Sequence, residues 1–215
     1  VGSEMCIRDR DRYEEAVEAL QHALTLAPKL AYARNNLSLA YFCMRDNKRA
    51  AAEARAVLRE DPKNVQAMCN LSMILHTAHD DEGANRMADA LLQEETEDPE
   101  ELNRMALVLM DLDRFEQAYE VMQRLVRYYP YETGAVHRLG VCAYETGRYR
   151  EATECYDKLL KINAGDTVAR YYRGLCRAAQ TGGAPHGRKR KFLFNYQVPV
   201  DEMLARVNRL NAILS

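Results

Sequence analysis

The sequence predicts an all-α protein assembled from short helix–turn–helix units that repeat every 34 residues. Three observations predict it. Stepping by that period from Ala16 reaches Ala50, Ala84, Ala118 and Ala152. Stepping likewise from Ser38 reaches Ser72, Ala106, Gly140 and Gly174. Pro28 and Pro62 stand one period apart, each just after an amphipathic stretch. Two helices approach closely only where small side chains occupy the crossing. Two small-residue series at one period therefore mark the contact points of successive hairpins.

The first element is a helix over Tyr13 to Leu26, with Ala16, Leu20, Ala23 and Leu24 on one face. Ala27-Pro28 ends it, because the residue before a proline is pushed out of helical geometry. Helices over Tyr32 to Met44 and Ala50 to Leu58 follow, joined at Asp46-Asn47 and closed by Asp61-Pro62. The next pair is Val65 to Thr77 and Ala84 to Glu95, joined by the polar turn Asp80 to Gly83. No proline stands at the expected end, Thr96; an acidic stretch fills the gap.

Asp98 is placed to cap a helix over Glu100 to Met110, with Pro99 at its first position and acids in its first turn. Phe115 to Tyr128 pairs with it and Pro130 closes the unit. The stretch Leu139 to Leu160 forms the fifth unit, two helices meeting at Gly147. A lone first helix, Thr167 to Gln180, comes next. Beyond it lie a linker at Thr181 to Pro185, the basic run Arg188 to Lys191, and alternating Phe192, Phe194, Tyr196 and Val198. Asp201 opens a last helix with Met203, Val207, Leu210 and Leu214 on one face.

The expected organisation is thus a non-native segment over 1–10, an array over 11–182, a linker over 183–199 and a helix over 200–215. The first segment, VGSEMCIRDR, resembles a translated sequencing-adapter remnant and is set aside from the fold argument. The array comprises a half repeat, four full repeats and one further first helix. The half repeat is expected to be a truncation, with an apolar face that upstream sequence would cover. One reading has Phe192 to Val198 lying back along the array and the last helix covering the open end of Thr167 to Gln180; a solvated linker is the competing account.

Charge and composition narrow the function. Thirty Lys and Arg oppose 32 Asp and Glu, a formal net charge of -2. No single-sign field marks the whole chain for nucleic acid or an anionic membrane. No apolar run approaches the roughly 18 residues a membrane span requires. Six cysteines, Cys6, Cys43, Cys69, Cys142, Cys155 and Cys176, show no CxxC spacing. They read as small apolar residues in a reducing compartment, and a cytoplasmic location is expected.

The residues at fixed offsets resemble the tetratricopeptide repeat. The fifth unit supplies Val136, Leu139, Gly140, Ala143, Ala152, Tyr156 and, where the closing proline belongs, Ala164; the fourth supplies Leu102, Met105, Ala106, Leu109, Ala118, Met122 and Pro130. The second supplies Arg34, Leu37, Ser38, Tyr41, Ala50, Ala54 and Pro62, so each unit matches imperfectly. The resemblance covers about Tyr13 to Gln180. It implies a right-handed superhelical solenoid whose first helices line a concave groove, used as a non-enzymatic scaffold for a peptide or protein segment.

No catalytic constellation, cofactor motif or metal set is present in the sequence. His76 and His79, with Asp80 and Asp81, come nearest to a metal site, but no third ligand is specified and a polar turn accounts for them. The stronger candidates lie on the first helices. One series is Asn35, Cys69, Asn103, His137 and Tyr171; its neighbour is Asn36, Asn70, Arg104, Arg138 and Tyr172. Amides can bond both the N–H and the C=O of an extended peptide, and a guanidinium can clamp a carboxylate. A solvated polar face with no ligand is the competing account.

Some members of the resembled family hold a chaperone's terminal carboxylate with a Lys/Asn/Arg clamp. Asn70 and Arg104 match part of it. Asn35, Leu39 and Glu100 stand where Lys, Asn and Lys belong. The expected peptide-binding set is Asn35, Asn36, Asn70, Asn103, Arg104, His137, Arg138 and Tyr171. Nucleic acid and membrane partners are not expected. Two alternatives stay open: a regulatory piece of a larger protein, or binding of RNA or an acidic partner through the basic C-terminal segment.

Overall fold

The computed structural model describes residues 7–182 and 200–215. Among them are eleven helices and no strand. They are α1 (Ile7–Leu26), α2 (Ala31–Cys43), α3 (Asn47–Glu60), α4 (Val65–Thr77), α5 (Asp81–Leu91), α6 (Pro99–Asp111), α7 (Phe115–Tyr128), α8 (Thr133–Glu145), α9 (Tyr149–Ile162), α10 (Thr167–Gln180) and α11 (Val200–Leu214). The all-α repeat fold is as expected. Contacts gather the helices into two compact units, α1 to α5 with α11, and α6 to α10. The division falls in the acidic stretch where the closing proline is missing.

Every hairpin turns in the same way. Arg45, His79, Asp113 and Gly147, one period apart, all take positive φ, from 57° to 77°. At each the chain leaves the helix through the same pair of hydrogen bonds. The Arg45 N–H bonds the Phe42 carbonyl and the Asp46 N–H reaches back to the Tyr41 carbonyl; the His79, Asp113 and Gly147 turns repeat this. These bonds satisfy carbonyls that a helix end otherwise leaves without partners. Only the last turn uses the residue type best suited to the left-handed conformation.

Helix starts are capped where the sequence supplies an acceptor. Asp46, Asn64, Asp80 and Asp166 each accept a backbone N–H three residues on. Asp98 accepts from Glu100 and Glu101, with Pro99 following it. Glu132 caps α8 through the Gly134 and Ala135 N–H groups.

Both small-residue series are buried at the crossings. Ala16, Ala50, Ala84, Ala118 and Ala152 are fully inaccessible, as are Ser38, Ser72 and Ala106. The serines do more than fit. Ser38 Oγ donates to the Ala50 carbonyl at 2.8 Å and Ser72 Oγ to the Ala84 carbonyl at 2.9 Å. Each hydroxyl therefore ties a first helix to the helix it crosses. Gly174 is the exception: it lies exposed, and a Cβ there would meet nothing.

The core of the first unit includes Tyr13, Val17, Leu20, Leu37, Leu71 and Ile74, and it takes in Met203, Leu204 and Val207 from α11. One reading of the sequence has the last helix cover α10; it packs instead on α1. The reason is chemical fit. The Met203, Leu204 and Val207 face meets the α1 face carrying Tyr13, Ala16 and Leu20, while Asn211 Nδ2 donates to the Ala19 carbonyl at 3.0 Å. Arg12 pairs with Asp201 at the other end of the contact. Both polar contacts advance toward the C-termini together, so α1 and α11 run in the same direction. A hairpin with a short turn cannot produce that arrangement. The basic run 188–191 and the aromatic stretch 192–198 lie outside the described residues.

Candidate functional site

The expected groove residues divide by unit. In the first unit Asn35 on α2 is 2% exposed, Asn70 on α4 is 3% exposed and Asn36 is barely accessible. Each donates an amide hydrogen, while Asn35 Oδ1 is buried with no partner among the described residues. Asn35 Nδ2 donates to Asn64 Oδ1 at 3.0 Å, and that same oxygen caps α4 by accepting the Ala67 N–H. Asn70 Nδ2 donates to the Asn35 carbonyl at 3.0 Å, and Asn36 Nδ2 to the Tyr32 carbonyl at 2.8 Å. The Asn35 and Asn70 amides join α2 to α4, while Asn36 bonds back within α2. The pairing of Asn35 with Asn64 was overlooked in the sequence; an Asn cap six residues before an Asn on the facing helix is the signal that could have found it.

In the second unit the same register lies nearer the surface. Asn103 on α6, His137 on α8 and Tyr171 on α10 occupy corresponding positions one period apart. Asn103 and His137 are half-buried and Tyr171 is exposed. Among the described residues, Asn103 Oδ1 and His137 Nε2 have no hydrogen-bond partner although both atoms are buried. Arg138 Nε is in the same condition. Buried polar atoms are ordinarily satisfied, so these three, one on α6 and two on α8, call for an explanation.

Aromatic rings build the wall behind them. The His137 ring meets Tyr156 edge-on at 5.8 Å and Tyr172 edge-on at 5.9 Å. Tyr156 and Tyr172 stack at 5.5 Å, and Tyr171 closes on Tyr172 at 5.5 Å. Burial among these rings pushes the His137 pKa below its ordinary value, which the Arg138 charge reinforces and the Asp166 carboxylate opposes. The imidazole is therefore neutral at pH 7, offering one nitrogen as a donor or an acceptor according to tautomer.

The guanidinium groups of the neighbouring series are held in place. Arg104 pairs with Glu100 at 2.7 Å, and Arg138 lies 3.6 Å from Glu132. The arginines of α10 are likewise occupied. Arg173 pairs with Asp157 at 3.0 Å, Arg177 approaches the same carboxylate at 3.7 Å, and Arg170 donates to the Ala164 carbonyl. The histidine pair resolves into turn chemistry: Asp80 caps α5, His76 Nδ1 lies 2.9 Å from Asp81, and His79 sits at the left-handed turn. Among the described residues, no helix is long and apolar enough to cross a membrane.

Comparison with known proteins gives the class. Two tetratricopeptide repeat models match, one over residues 109–176 and one over residues 8–30. Those segments carry tetratricopeptide repeats, and repeats of this kind support a protein-interaction scaffold. No curated protein sequence matches it.

Several solved structures share the fold. YrrB, a tetratricopeptide repeat protein with an unusual peptide-binding site, aligns at TM-score 0.61 and 19% identity, covering 92% of this chain and 96% of that one. MamA from Desulfovibrio magneticus RS-1 aligns at 0.56 and 14% identity, covering 85% and 96%. Pseudomonas aeruginosa pilF aligns at 0.55 and 18% identity, covering 86% and 76%. At these identities the likeness is one of fold.

Proposed function

We propose that the chain binds an extended peptide segment of a partner protein along the first helices of its second unit. Asn103, His137 and Tyr171 contact it, with Arg104 and Arg138 at the shoulder. The observation that carries this reading is the pair of unpartnered buried atoms, Asn103 Oδ1 and His137 Nε2, at corresponding positions on α6 and α8. An amide oxygen accepts a peptide N–H, and an imidazole nitrogen meets a peptide N–H or C=O. Packed helices lie on the order of 10 Å apart, and an extended chain advances about 3.3 Å per residue, so one contact falls roughly every third residue. Tyr171 supplies a ring for an apolar side chain. The peptide-binding site of YrrB, on the same fold, is consistent with this use.

Asn35 and Asn70 take the opposite role in this reading, their amides holding α2 and α4 together rather than meeting a ligand, and Asn36 bonds back within α2. Panning a displayed library of twelve-residue peptides against the chain tests the proposal. Enriched sequences should lose tenfold or more in affinity, about 1.4 kcal/mol, on the Asn103→Ala/His137→Ala variant. Helicity by circular dichroism should be unchanged. Peptides that bind the variant as tightly as the parent would remove these residues from the site.

A further inference from the structure

A second surface lies in the first unit, independent of the groove just described. α11 rests mainly on one helix, α1, whereas α2 and α4 are each packed against three others. The chain reaches it through residues 183–199 rather than through a hairpin turn, and it runs in the same direction as α1. Its contact is that of an amphipathic helix laid on an apolar face. Met203, Leu204 and Val207 are buried, Asn211 bonds the Ala19 carbonyl, and Ile213 is left exposed. Asn211 Nδ2 takes a backbone carbonyl inside α1 as its acceptor, a contact that fixes lengthwise register and not only burial.

We propose that the face of α1 carrying Tyr13, Ala16, Leu20 and Ala23 is a helix-docking surface. α11 is its resident occupant, exchangeable for an amphipathic helix of the same pattern supplied in trans. That pattern is an acid at the N-terminus for Arg12, apolar residues at the positions of Met203, Leu204 and Val207, and an amide at the position of Asn211. Recognition is of the helix-in-groove kind, with apolar anchors giving affinity and the two polar contacts giving direction and register. Because α11 is tethered to the same chain, a free helix competes against an intramolecular event and binds the intact protein weakly. Any change that loosens α11 raises that apparent affinity.

The test uses the full chain and a fluorescein-labelled peptide with the sequence of residues 200–215, followed by fluorescence anisotropy. Val207→Asp in the chain should weaken the resident helix and increase peptide affinity tenfold or more over the parent chain. The same peptide carrying Val207→Asp should bind neither chain. Asn211→Ala in the chain, a milder change should Val207→Asp unfold the unit, should act in the same direction by a smaller factor. A concentration-dependent dimer that excess peptide dissociates would identify the occupant in trans as α11 of a second copy. Peptide affinity equal for parent and both variants, binding that ignores Val207 in the peptide, or a dimer indifferent to peptide would each overturn the proposal.

Discussion

The Tyr156 ring stands against Gly140 so closely that a Cβ on the glycine would lie 2.9 Å from the ring's Cζ. The two positions trade volume along the array. Ser38 and Ser72 correspond to Ala54 and Ala88, Ala106 to Met122, and Gly140 to Tyr156. The residue on the first helix shrinks as the one on the second grows. Gly140→Ala should therefore destabilise by about 1–3 kcal/mol through overpacking. Tyr156→Met in the same chain should recover most of the loss, reproducing the Ala106 and Met122 combination. Urea midpoints of the two single variants and the double variant measure this coupling.

The left-handed turns predict a gain. His79 takes φ 62° where Gly147 takes 77°. Relieving the Cβ contact at such a position offsets the extra chain entropy that glycine loses on folding. His79→Gly should leave stability unchanged or raise it by up to about 1 kcal/mol. Gly147→Ala should lower it by a similar amount. Thermal unfolding of the two variants decides the sign.

The amides of the two units should behave oppositely. Asn35→Ala removes a buried hydrogen bond to Asn64 and should cost about 1–2 kcal/mol. Asn103→Ala removes an oxygen that bonds nothing among the described residues, and stability should stay within about 0.5 kcal/mol. The urea midpoint reads the first effect; peptide affinity reads the second.

How legible this was in the sequence differs by level. The period located each hairpin, because close approach leaves Ala50 or Ala118 no choice but to be small. Helix ends followed to within a few residues, except that α1 starts at Ile7, well before Tyr13, and α8 at Thr133, well before Leu139. Periodicity says which face of a helix a residue occupies and not what covers that face. Asn35 and Asn103 thus looked alike, and each leaves its Oδ1 without a partner among the described residues, but Asn35 is buried and donates to Asn64 whereas Asn103 is half-buried. The place of α11 was hidden for a related reason. It depends on a match between faces far apart in the chain, and the repeat contains no information about that match.

Stability should depend on pH through His137. A base held below its ordinary value binds fewer protons folded than unfolded. Its contribution is fully present above the unfolded value of about 6.5. It declines as the pH falls below that, until the folded pKa is reached. The slope from this one group cannot exceed about 1.4 kcal/mol per pH unit. His137→Phe should flatten the profile in that window, as measured by urea midpoints between pH 5 and 8.

The thiols should be silent in the folded chain. Burial pushes Cys142 up to about 12 and Cys155 and Cys176 up to about 11, and raises Cys43. Cys69 is buried as well. None of these five should react with Ellman's reagent at pH 8 until urea unfolds the chain, because the thiolate is the reactive form.

The common direction of α1 and α11 has a mechanical consequence. A load applied between the start of α1 and the end of α11 pulls the two helices lengthwise past each other. Tyr13, Leu20, Met203, Val207 and the Asn211 bond would then resist in shear, all at once, instead of yielding one after another as in a peeled zipper. Held at those two points, the first unit should rupture in a single sharp event.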